Sequence, residues 1–136
     1  PIFIRLGNRA RGYKEGLAVT NVGKIDGVRI SNVQVRNAGP TGCSITGLPG
    51  YPVENIHLDN ISIHHKGGVA AEAMPKIEES AADEREKSYP EATMWGVLPA
   101  KGFFVRHARN VKFTNIEIQT EQEDVRDNFV MIDVKE

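Results

Sequence analysis

Residues able to do chemistry are spread thinly along this chain. Asp26, Glu54, Asp59 and Asp127 are the first carboxylates to consider, because acid–base work on a glycosidic or ester bond needs two close acids. Each stands at a strand end or on an outward place of the pattern below, and no two read as a pair. His57, His64, His65 and His107 could be taken for metal ligands, but His64 and His65 alternate faces on a strand and no Cys or His spacing matches a zinc site. No metal and no cofactor are expected. Cys43 alternates with Ile45 and reads as core, while Ser44 lacks the Gly-x-Ser-x-Gly context of a nucleophile. Arginines at strand ends have more shape: Arg5, Arg9, Arg11 and Arg106, the last followed by His107. A guanidinium holds a carboxylate through two parallel hydrogen bonds, and the rings of Tyr89 and Trp95 could stack on an apolar ligand face.

What must position these groups is a repeat. Three nine-residue segments match: Gly27 to Val35, Asn55 to Ile63 and Asn110 to Ile118. Places 2, 4, 7 and 9 are apolar and place 6 is Asn32, Asn60 or Asn115. Two alternating pairs separated by an odd step would face opposite sides of one straight strand, so a bend at place 6 must turn the second pair inward. Asn tolerates the left-handed backbone of such a bend, and stacked Asn side chains can form a ladder. Asn32 and Asn60 stand 28 residues apart, the length of one solenoid coil. A further strand precedes each repeat, at Pro1–Ile4, Gly42–Ile45 and Gly102–Val105, and Asn128–Ile132 would open a fourth coil. The pattern predicts an all-β, right-handed parallel β-helix of about three to four coils, with residues 1–136 a single segment of it. The competing antiparallel sandwich needs hairpin turns between neighbouring strands, whereas the Asn corners read as bends within a coil. Residues 7–24 read as a loop. Residues 66–101 read as one long inserted loop, with a short exposed helix in its Ala-, Glu- and Lys-rich middle, Glu72 to Lys87, and an ordered stretch from Tyr89 to Gly96.

Bulk properties exclude much. The chain has 136 residues, 17 basic and 18 acidic, for a net charge of −1. That balance calls for neither nucleic acid nor a membrane surface, no apolar run approaches a membrane span, and one cysteine allows no intrachain disulfide.

Several stretches carry a resemblance. Pro1-Ile2-Phe3-Ile4, Val28-Arg29-Ile30-Ser31-Asn32-Val33, Gly42-Cys43-Ser44-Ile45-Thr46-Gly47 and Val53-Glu54-Asn55-Ile56-His57-Leu58-Asp59-Asn60-Ile61 resemble the last coils of glycoside hydrolase family 28, the polygalacturonases and rhamnogalacturonases. The stretch from Tyr89 through Met94-Trp95-Gly96 and Leu98-Pro99-Ala100 to Gly102-Phe103-Phe104-Val105-Arg106-His107 resembles a bacterial branch of it, and this stretch and Leu48-Pro49-Gly50 are more specific than the coil pattern. The family's Asn-Thr-Asp, Asp-Asp, Gly-His-Gly and Arg-Ile-Lys motifs do not occur. The resemblance therefore implies the C-terminal portion of a secreted or periplasmic, inverting pectin hydrolase, inactive alone, with no catalytic residue of its own. It implies acidic plant cell-wall polysaccharide as partner, with Arg5, Asn8, Arg9, Tyr89, Trp95, Arg106 and His107 as candidate substrate-binding residues. Asn8 falls near the place where some members carry an active-site Tyr. The alternative is a non-catalytic β-helix module that binds acidic polysaccharide or assembles. Since Pro1 begins mid-pattern, Ile2, Ile4, Val28 and Ile30 should lie at an open end, covered by upstream coils of the same protein or by an end-to-end oligomer.

Overall fold

The computed structural model describes residues 1–7, 23–85 and 93–136. These contain β1 (Phe3–Arg5), β2 (Asp26–Ala38), β3 (Cys43–Thr46), β4 (Val53–Gly67), the helix α1 (Ile77–Ala82), β5 (Ala100–Gln122) and β6 (Asp127–Lys135). Every ladder between these strands is parallel. The six strands form one curled sheet in the order β1-β3-β5-β4-β2, with β6 also on β5. β5 is long enough to serve two ladders: its first half lies between β3 and β6, its second half beside β4.

The repeat sets the register. Val28, Ile56 and Val111 align, as do Ile30, Leu58 and Phe113, then Val33, Ile61 and Ile116, then Val35, Ile63 and Ile118. All twelve belong to one apolar cluster, in which the four on the middle strand are at most 1% exposed and the outer eight are half-buried. Cys43 and Ile45 join this core, and Phe103, Phe113 and Phe129 pack together at one end of it with ring centroids 4.9 to 5.9 Å apart. At the other end Ile2 is itself buried, at 8% exposed, while Ile4, Val28 and Ile30 are only half-covered.

Asn32, Asn60 and Asn115 take φ of 60°, 57° and 53° on adjacent strands. The Asn115 amide donates to Asn60 (2.8 Å) and the Asn60 amide to Asn32 (2.9 Å). A second row stands at place 1 of the repeat, which the pattern reading left without a role. Asn55 and Asn110 both have φ of 56° there, Asn110 donates to Asn55 at 2.7 Å, and Asn55 donates to Asp26 at 2.7 Å.

β5 alternates Phe103 and Val105 inward with Phe104 and Arg106 outward, yet all four are buried. The outward pair is covered because the helix α1 with Asp83, and Trp95 with Leu98, lie over this face. Leu98, Ala100, Phe104 and Val130 form a second small core there, with Trp95 and Ile132 packed against it. The helix in this segment is shorter than the span of residues favourable to it. Pro75 disfavours helical backbone immediately before it, and the helix ends at Asp83. The segment is pinned at its base by Arg126 and Asp124, whose side chains have no exposed surface. Arg126 donates two bonds to Asp124 (2.9 and 2.8 Å) and others to the carbonyls of Thr41, Leu98 and Ala100.

Candidate functional site

The outer face of the β1-β3-β5-β6 ladder carries a basic and aromatic cluster. Arg5, at the end of β1, donates to Thr46 Oγ1 (3.3 Å) and Gly47 O (3.1 Å) and reaches the Glu84 carbonyl across the sheet. Arg106 points outward from β5 with no exposed side-chain surface. It donates to the carbonyls of Ser80 and of Asp83 (2.9 Å), and so satisfies the C-terminal end of α1. Both guanidinium carbons stand over Trp95, at 5.0 Å for Arg5 and 5.2 Å for Arg106, within cation–π range. Trp95 Nε1 donates to the same Asp83 carbonyl at 3.0 Å. Burial lowers the pKa of Arg106, opposed by Glu84 and Asp83.

His107 occupies a corner. It and Asp133 are register equivalents on β5 and β6, with φ of 52° and 54°. Its Nδ1 lies 2.7 Å from Asp133 Oδ2, and its Nε2 lies 2.9 and 3.1 Å from the two Glu84 oxygens. Each ring nitrogen thus faces a carboxylate. The hydrogen bond from His107 lowers the pKa of Asp133. The two carboxylates sit on opposite ring nitrogens, so they cannot close on one metal ion with His107. Among the described residues, no group of three or more His, Cys, Asp or Glu side chains is placed to hold a metal.

Beside the cluster is a cavity of about 140 Å³ between α1 and the sheet, walled by Glu79, Asp83, Trp95, Leu98 and Phe104. A wider groove, about 740 Å³, lies elsewhere, along Val111, Lys112, Met131 and Val134. It marks the step where β6 stops pairing with β5, and its shape follows from that uncovered edge.

Of the residues singled out from sequence, Arg5, Trp95, Arg106 and His107 meet on this face. Asn8, Arg9, Arg11 and Tyr89 lie outside the described residues. Asp26 and Glu54 are neighbours on β2 and β4 beside Lys24, and Asp59 faces Arg29; none of the three is bonded to the cluster. Asp127 is exposed at the start of β6. Cys43 and Ser44 are buried, with the thiol pKa raised by burial. His65 is buried between the Lys101 carbonyl (2.8 Å) and the Gly67 N–H (3.0 Å), and burial lowers its pKa. His57 and His64 are on the outside, bonded to Thr114 and Glu117.

The carboxylates that do reach the cluster, Asp83, Glu84 and Asp133, escaped the reading of the sequence. For Asp133 a signal existed: aligning Val105-Arg106-His107-Ala108 with Met131-Ile132-Asp133-Val134 places it under His107. For Asp83 and Glu84 there was none, because they arrive from a segment without periodicity. No protein-family model, curated protein or solved structure matches this chain.

Proposed function

We propose that this chain supplies the closing coils of a right-handed parallel β-helix and one wall of the substrate cleft of a pectin-degrading, inverting hydrolase of the family 28 type. The catalytic acids belong to preceding coils. The observation that carries the reading is the convergence of Arg5, Arg106, His107 and Trp95 on one face of the sheet. Guanidinium groups and an imidazole match the carboxylates of a polyuronate, and an indole matches the C–H face of a sugar. The half-buried apolar residues of β2, against fully buried ones on β4, support a further coil covering β2. The acids at the cluster are already engaged: Asp83 with Arg85, and Glu84 and Asp133 with His107.

The test is affinity electrophoresis and a reducing-end assay on the pure chain. Polygalacturonate should retard it, less so at high salt, a neutral galactan should not, and no reducing ends should appear. Equal retardation by both polymers, or clear turnover, overturns the reading.

A further inference from the structure

Glu84 follows α1 by two residues and turns its carboxylate back onto the sheet. Oε1 lies 2.9 Å from His107 Nε2 and 3.5 Å from Arg106 Nη1, and Oε2 lies 3.1 Å from His107 Nε2. Arg106 and His107 are held by groups other than that carboxylate. Arg106 is fixed by the Ser80 and Asp83 carbonyls and by the rings of Trp95 and Phe104, and His107 is fixed through Nδ1 by Asp133. The Arg106 side chain is fully buried and that of His107 is 11% exposed, whereas that of Glu84 is 24% exposed, so its carboxylate stands at the solvent side.

The fit is incomplete. A charge-assisted bond to a carboxylate normally closes to roughly 2.7–2.9 Å, and the Arg106 contact stays at 3.5 Å. The Glu84 carboxylate is tethered to a backbone that is itself tied to Arg5 through its carbonyl, and an untethered carboxylate is free to approach Nη1 more closely.

We infer that Arg106 and His107 form a carboxylate-binding pocket which Glu84 occupies as a tethered ligand, so that an external carboxylate competes with Glu84 for it. The identity of the natural competitor, a uronate, rests on the reading of this face as an acidic-sugar surface. The pocket rests on geometry alone. Glu84 then acts as a plug that an entering acidic ligand displaces.

Trp95 is the single tryptophan of the chain and touches Arg106, so its fluorescence reports on the pocket. The full chain and its Glu84→Ala variant are titrated at one pH with propionate, propionamide, galacturonate and galactose. The variant should respond saturably to the two carboxylates and not to the neutral analogues. The parent chain should need at least about tenfold more ligand, because a tethered competitor acts at an effective concentration in the millimolar range or above. Equal responses to propionate and propionamide, or equal midpoints in the two proteins, overturn the inference. Should Glu84→Ala fail to fold, Glu84→Gln serves in the same comparison, and adding His107→Ala must abolish the response. A response to propionate without one to galacturonate upholds the pocket and sinks the acidic-sugar reading.

Discussion

Replacing Asn60 tests the corner argument most directly, because two separable effects meet at that residue. Its φ is 57°, and it stands mid-ladder, donating to Asn32 at 2.9 Å and accepting from Asn115 at 2.8 Å. Asn60→Gly removes both side-chain bonds but keeps a residue at ease in the left-handed region. The ladder is exposed and water can replace the lost partners, so each bond contributes about 0.5 kcal/mol, the low end of the usual range, and the variant should lose about 1 kcal/mol. Asn60→Ala loses the same bonds and must also force a Cβ into left-handed backbone, which adds about 1–2 kcal/mol. The expected order is therefore Asn, then Gly, then Ala, with Ala about 2–3 kcal/mol below the parent. Urea denaturation followed by circular dichroism reads the midpoints at constant slope. If Ala equals or exceeds Gly in stability, backbone conformation is not what Asn60 supplies, and the same doubt then covers Asn32 and Asn115.

Asp124 gives a pH dependence. Hydrogen bonds from Arg126 outweigh its desolvation and hold its carboxyl at about 2, against 3.8 ordinarily. A depressed folded-state value stabilises the protein above the unfolded value, by about 2 kcal/mol, and that stability is lost as pH falls from about 4 toward 2. Asp124→Asn should flatten the urea midpoint across that window and lower it at neutral pH, because it leaves Arg126 buried without its counter-charge; an unchanged acid limb refutes the pairing. His65→Ala should cost about 2–4 kcal/mol in the same urea assay, since it opens a cavity and strands the Lys101 carbonyl and the Gly67 N–H; a loss below 1 kcal/mol would show that water replaces the ring at no cost. Sedimentation of the pure chain at micromolar concentration should show association through the edge of β2, where Val28, Ile30, Val33 and Val35 are only half-covered. A sharp monomer with a cooperative melt argues that this edge is stable uncovered.

The strand register was legible in the sequence because it is a matter of period. Apolar residues at places 2, 4, 7 and 9, with Asn at place 6, dictate which side chains face inward and where the chain turns. The structure aligns those places strand on strand. Burial of Cys43 and the opposite faces of His64 and His65 follow from the same alternation. Pro75 lay in plain view, but the helix boundary it sets was missed because composition does not locate a helix start.

The cluster was legible only by half. Arg5, Arg106 and His107 sit on or beside strands, so their side-chain directions follow from the alternation. Their partners do not. Asp83, Glu84 and Trp95 belong to an aperiodic segment whose path is set by what it covers, namely Phe104, Val130 and Arg106 on the outer face of the sheet. Local sequence settles conformation where each residue's neighbours repeat from strand to strand. Which carboxylate meets which cation is decided between residues about 23 to 26 apart, and only the folded chain brings them within hydrogen-bonding distance.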